Sequence, residues 1–233
     1  MKTVLISGAN RGLGYSLSEH FLQAGYGVFA GVRQSGASLD ALAIRYPGLL
    51  TCLQLDVTQM EQVRAARQQV TELTEGLDIL INNAGVHLDS KQTVLEEIDL
   101  EDPRWSITID VNSFGPLRLT QQMLPLMEKG TRKLIINISS EAGSIADAWR
   151  EQEFAYCMSK AALNMQTRLL HNYLQPRGFS VLAVHPGWIR SDMGGPEADI
   201  SPDEAAAGIF ALAECEEPGA EIFLDYQGRP LRW

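Results

Sequence analysis

Tyr156 and Lys160 stand four residues apart within Phe154 to Leu174, a stretch whose apolar spacing predicts a helix stopped by Pro176 and Gly178. Four apart places both on one helix face. A free phenol titrates near ~10 and a lysine ammonium near ~10.4. An ammonium close by favours the phenolate and lowers the phenol's pKa. Tyr156 then becomes a proton donor or acceptor near neutral pH. Taken alone, such a pair means little, and an ordinary surface pair is its plain reading. Ser139 leaves a predicted strand and can donate a hydrogen bond to a reacting oxygen. Asn112 falls inside a predicted helical region, where Asn forms helix poorly and needs another reason to be present.

A second constellation lies near the N-terminus. Ser7-Gly8-Ala9-Asn10-Arg11-Gly12-Leu13-Gly14 follows an apolar run and opens an amphipathic one. Gly8 allows a tight turn, Gly12 lets backbone approach a pyrophosphate, and Gly14 allows close helix packing. A helix N-terminus then offers unpaired N–H groups and a favourable dipole to the anion. The spacing is GxxxGxG rather than GxGxxG. A dinucleotide site for NAD wants an acid at the end of the second strand. Here that place holds Gly31-Val32-Arg33, and Asp40 comes seven residues later. Arg33 and Arg11 can clamp a 2′-phosphate by charge-assisted hydrogen bonds. Two solvated surface arginines are the plain alternative.

These residues need a frame, and the apolar pattern supplies one. Strands are expected over Val4 to Ser7, Gly27 to Val32, Leu50 to Leu55, Ile79 to Ile81, Leu134 to Ile138, Val181 to Val184 and Ile222 to Leu224. Helices are expected over Gly12 to Ala24, Ser38 to Arg45, Thr58 to about Thr74, Trp105 to Met127 and Phe154 to Leu174. Thr58 with Glu61 reads as a capping box, and Ser201-Pro202-Asp203-Glu204 opens a further helix. Strand alternating with helix means parallel strands under covering helices. The expectation is an α/β, Rossmann-like, doubly wound parallel sheet with helices on both faces, one domain over residues 1–233. Ligands in such sheets bind outside the carboxyl ends of the strands, where the unusual residues fall.

Together these motifs resemble the short-chain dehydrogenase/reductase family, in its carbonyl-reductase-like branch with Asn-Arg-Gly-Leu-Gly in the loop. The resemblance rests on Gly8, Gly12 and Gly14, on Asn82-Asn83-Ala84-Gly85, on Asn112 and Ser139, on Tyr156-Cys157-Met158-Ser159-Lys160 and on Pro186-Gly187. It implies catalysis by Asn112, Ser139, Tyr156 and Lys160, with Ser139 matching the family register better than Ser140. It implies NADP held by Gly8, Asn10, Arg11, Gly12, Leu13, Gly14, Arg33, Asp56, Val57, Asn83, Ala84, Gly85, Tyr156, Lys160, Pro186, Gly187, Ile189 and Ser191. Asp56 would contact adenine, and a turn acid is its plain alternative. Asn83 to Gly85 would lie against ribose, and Pro186 to Ser191 would line the nicotinamide side. Asn112 would join a water-linked proton path with Lys160, and Lys160 would bind the nicotinamide ribose. The implied reaction is reduction of a ketone or aldehyde, with Tyr156 as proton donor and a small carbonyl or alcohol compound as substrate. A homodimer through the long helices is implied as well.

Ser139 and Tyr156 are 17 residues apart, longer than the family's common spacing. The extra residues, Glu141 to Glu153, are expected to loop out and build a pocket wall. Trp149, Trp188, His87 and Met193 are candidate walls. His185 is expected to be a satisfied residue beside the pocket. Three other readings stay open. One is a cofactor-binding signalling or regulatory protein of the same fold. Another is an NAD-dependent alcohol dehydrogenase. The third is a sugar-nucleotide epimerase or dehydratase, which usually needs a larger C-terminal portion.

Composition narrows the partners. Of 233 residues, 29 are acidic and 19 are Lys or Arg, a net charge of -10. There is no basic run for nucleic acid or anionic membrane. The three cysteines, Cys52, Cys157 and Cys215, have no metal-ligand spacing, so no metal is expected. They suit a reducing compartment, and no stretch reads as a signal peptide or membrane span. A cytoplasmic protein is the expectation.

Overall fold

The computed structural model describes residues 1–89, 95–215 and 219–233. In chain order the elements begin with β1 (Thr3–Ser7), α1 (Gly12–Gln23), β2 (Gly27–Val32), α2 (Ala37–Arg45), β3 (Leu50–Gln54), α3 (Met60–Leu73) and β4 (Ile79–Asn82). They continue with α4 (Pro103–Ile109), α5 (Gly115–Met127), β5 (Leu134–Ile138), α6 (Phe154–Leu174), β6 (Ser180–His185), α7 (Pro202–Glu214) and β7 (Phe223–Asp225). The strands form one parallel sheet in the order β3-β2-β1-β4-β5-β6-β7. The order reverses between β1 and β4, so a crevice opens there at the carboxyl ends.

Helices cover both faces, which is why most strands read as unbroken apolar runs. The side chains divide by the strand period of two. Val4 and Ile6 face a core with Leu17 and Phe21 of α1 and Ile209 of α7. Leu5 faces the other core, with Val63 of α3 and Leu119 and Met123 of α5. In β5, Leu134, Ile136 and Ile138 take the first face and Ile135 the second. That parity continues beyond the strand and matters at the site.

Two local expectations change. Thr58 does not cap α3: its N–H and hydroxyl both donate to Asp56 Oδ1, at 2.9 and 2.7 Å, and the helix starts at Met60. The carboxylate two residues back outcompetes the helix end for the hydroxyl. Trp105 to Met127 is not one helix. A π-helical turn, Asp110–Phe114, separates α4 from α5, and Asn112 sits in it. The Ser201 cap does form, its hydroxyl accepting from the Glu204 N–H at 3.0 Å. Among the described residues, no helix is long and apolar enough to cross a membrane.

Candidate active site

The crevice is a cavity of 1070 Å³. Every site residue expected from the sequence lines it except Asn112. At one end, Gly8 and Gly12 adopt φ values of +68° and +52°, the left-handed region that favours glycine. A Cβ on Gly8 would lie 2.9 Å from Ala84 Cα, and one on Gly14 would lie 2.3 Å from the Gly8 carbonyl oxygen. Any side chain there would fill the cradle or break its floor. Asn83 fastens the loop, donating from Nδ2 to the carbonyls of Ser7 and Gly8 at 2.8 and 3.0 Å. The Ser7 hydroxyl in turn accepts from the Asn83 and Ala84 N–H groups.

The two arginines part company. Arg33, exposed at the end of β2, makes no side-chain hydrogen bond or ion pair among the described residues. Arg11 is ion-paired with Asp192, across the cavity mouth in the segment after β6. Asp56 faces the cavity near Arg33, with Oδ1 committed to Thr58.

At the other end, Tyr156, Ser139 and Ser140 all line the cavity, and the Ser140 hydroxyl is the one that acts on the Tyr156 phenol, lowering its pKa. Ser139 donates to Asn164 Oδ1 of α6 at 2.6 Å and is buried. The strand period explains where Ser139 points. Asn137 already faces α6, bonding Thr167 at 2.8 Å, and Ser139 is two residues on. Its backbone even continues the ladder, donating to the Val184 carbonyl at 2.8 Å. Ser140 is the residue after the ladder ends, and its hydroxyl also caps the short 3₁₀ turn Glu141–Gly143.

Lys160 is buried beneath Tyr156. Its ammonium donates to the Ile138 carbonyl at 2.8 Å and lies 5.7 Å from the centre of the Tyr156 ring. Burial depresses its pKa to about 8. Burial also pushes the Tyr156 phenol up to about 12, with the Ser140 hydroxyl pulling the other way. So the expected lowering of the phenol by the ammonium does not hold in this geometry; desolvation wins. Asn112 accepts from the Val86 N–H and donates to the Val86 carbonyl, both at 2.8 Å. Its amide also reaches Ser159 Oγ at 2.9 Å, which donates to the Tyr156 carbonyl at 2.7 Å. It therefore ties the exit of β4 to the helical turn that carries Tyr156.

Three features had no sequence signal. The Tyr156 N–H is capped from a distance by Asp89 Oδ2 at 3.2 Å. His87 stacks on the Tyr156 ring at 4.3 Å. Arg150 binds Glu141 through both terminal nitrogens, at 2.5 and 2.6 Å, and Glu153 through Nε at 2.8 Å. Trp149, Trp188, His87 and Met193 all line the cavity, as expected. His185 also lines it, but its Nδ1 is buried without a partner among the described residues, so it is not the satisfied residue expected.

A family model described as short chain dehydrogenase matches residues 2–200. The chain is 38% identical over 161 residues to the protein named C-signal of Myxococcus xanthus, covering 69% of this chain and 95% of that one. It is 34% identical to 1-hydroxy-2-glutathionyl-2-methyl-3-butene dehydrogenase of Rhodococcus sp. (strain AD45), covering all of both chains. Its fold matches the NADPH-bound carbonyl reductase from chicken fatty liver with a TM-score of 0.88 and 35% identity, over 100% of this chain and 99% of that one. The chain belongs to the short-chain dehydrogenase family and is an oxidoreductase of that family.

Proposed function

We propose that this chain, as a single cofactor-binding unit, reduces a ketone or aldehyde with NADPH. The cofactor is NADP. The residues suit it: the glycine cradle leaves room for a pyrophosphate against backbone N–H groups, and Arg33 has no side-chain partner among the described residues. Gly8 to Gly14 would hold the pyrophosphate, Arg33 the 2′-phosphate, and Asp56 and Val57 the adenine side. Asn83 to Gly85 would lie along ribose, with Pro186, Gly187, Ile189 and Ser191 beside the nicotinamide. When bound, NADPH supplies the hydride.

The chain's own residues manage the oxygen. Ser140 donates a hydrogen bond to the substrate carbonyl. Tyr156, protonated throughout the neutral range, gives its proton to the oxygen as negative charge develops there. Lys160 lies under the phenol and stabilises the phenolate left behind. Asn112 is a positioning residue for Tyr156. The observation that carries the reading is that Tyr156, Ser140 and Lys160 share one cavity with the glycine cradle. NADPH oxidation by the purified protein across a panel of ketones and aldehydes tests it, and failure to consume NADPH with any of them would overturn it.

The relative named C-signal favours a second reading, a signalling role for the cofactor-bound chain. Turnover would show that any such role is additional to catalysis. A homodimer has support on the surface. Phe114 at the end of the π turn, Leu117 on α5, and Met165, Leu169 and Tyr173 on α6 are exposed apolar side chains along the long helices.

A further inference from the structure

The cavity's outer end combines one aromatic plate with a closed set of charges. Trp149 is 72% exposed, yet it is not loose: the Arg150 guanidinium lies 4.6 Å from its ring centre. Arg150 in turn is clamped on two sides by Glu141 and Glu153. All three of these side chains line the cavity. A lone arginine beside a catalytic hydroxyl would be a ready clamp for a substrate carboxylate. Here its bidentate edge is already taken by Glu141, and its Nε by Glu153. With His87 Nε2 3.4 Å from Glu153 Oε1, two carboxylates stand against one guanidinium and one imidazole, and the wall is net negative wherever that imidazole is neutral.

The other cationic groups nearby are also engaged. Lys160 is buried below Tyr156 and bonded to the Ile138 carbonyl. Arg190 turns its guanidinium to the Ala198 and Asp199 carbonyls, at 3.0 and 2.9 Å. Burial lowers the pKa of His185, which keeps that ring neutral. A carboxylate entering from the rim therefore meets repulsion, and among the described residues the cavity's unengaged arginine is Arg33, at the cofactor end. An uncharged ring meets Trp149 and Trp188, which both line the cavity.

We propose that the Glu141–Arg150–Glu153 cluster makes this cleft select uncharged or cationic carbonyl compounds whose ring rests on Trp149, and reject carbonyl compounds that carry a carboxylate. This rests on the carbonyl-reductase reading and names its substrate class. It assigns Glu141 and Glu153 to specificity and Trp149 to substrate seating, without a part for them in the proton transfer.

The test uses three matched aldehydes with NADPH: para-formylbenzoate, its uncharged methyl ester and para-trimethylammonio-benzaldehyde. The ester and the cation are expected to exceed the carboxylate in kcat/KM by about tenfold or more at low salt, as expected for an unpaired charge near a partly desolvated one. Added salt narrows the gap. Glu153→Gln raises the carboxylate-to-ester ratio severalfold, and Trp149→Ala raises KM for the ester more than for a small aliphatic aldehyde. Equal or better turnover of the carboxylate by the unmodified protein overturns the proposal while leaving the reductase reading intact. No turnover of any of the three, or of the aliphatic aldehyde, overturns both. The comparison among substrates needs only the unmodified protein, so it stands even where a variant folds poorly.

Discussion

Ser139 Oγ donates to Asn164 Oδ1 of α6 at 2.6 Å, and in the proposed reading this bond leaves Ser140 as the hydroxyl beside Tyr156. Ser140→Ala is expected to lower kcat by about 10²–10³-fold, the usual cost of a donor to a developing oxyanion. Ser139→Ala is expected to leave kcat within a few-fold. It should lower stability by about 1–3 kcal/mol instead, because Asn164 Oδ1 is left buried and unpaired. Steady-state kinetics and denaturant melts on the two variants separate these roles.

Lys160 gives a pH signature. Its folded pKa of about 8 lies below the unfolded value of 10.5. Between those values the unfolded chain holds more proton, so this group's contribution makes folding stability rise with pH, complete only above the unfolded value. Denaturant melts of the unmodified protein and of Lys160→Met are expected to diverge over that window, in favour of the unmodified protein as pH rises. Parallel curves would contradict the burial of a titrating ammonium.

The same group shapes the rate. Tyr156, at about 12, stays protonated where Lys160 is losing its proton. Carbonyl reduction is expected to be flat at neutral pH and to fall as pH passes about 8. A pH profile of kcat/KM that instead rises through that value would speak against the phenol as proton donor.

For the cofactor, Arg33→Ala is expected to weaken NADPH binding by about ten- to a hundredfold with little effect on NADH, as a charge-assisted contact to phosphate is lost. Asp192→Asn releases Arg11 and is expected to tighten NADPH by no more than about fivefold, since the pair is exposed. Fluorescence titrations with both nucleotides measure this directly. Equal losses for NADPH and NADH in Arg33→Ala would remove it from the 2′-phosphate.

Self-association should depend on the uncovered helices. Light scattering at micromolar concentration is expected to give the mass of a dimer, and Met165→Glu with Leu169→Glu is expected to give that of one chain. A single-chain mass for the unmodified protein at every concentration would refute the dimer.

Much of the frame was legible because parallel strands buried on both faces leave unbroken apolar runs, as Leu134 to Ile138 does. The cradle was legible because positive φ at Gly8 and Gly12 demands glycine. The misreadings have local physical causes. Apolar periodicity does not encode the π turn at Asn112, because its flanking helices continue the pattern. The period of two through Ile135, Asn137 and Ser139 turns Ser139 toward α6, a placement that family register does not encode. The grip of Glu141 and Glu153 on Arg150 had no sequence signal, since an irregular segment has no period from which to read which charges meet.

The most direct measurement is turnover by Tyr156→Phe, which keeps the ring stacked on His87 and removes only the hydroxyl. With a carbonyl compound that the unmodified protein reduces well, the variant is expected to lose about 10²–10⁴-fold in kcat, the range of general acid catalysis. Its NADPH affinity should stay nearly unchanged. Near-normal turnover by a variant that binds NADPH normally would contradict Tyr156 as the proton donor.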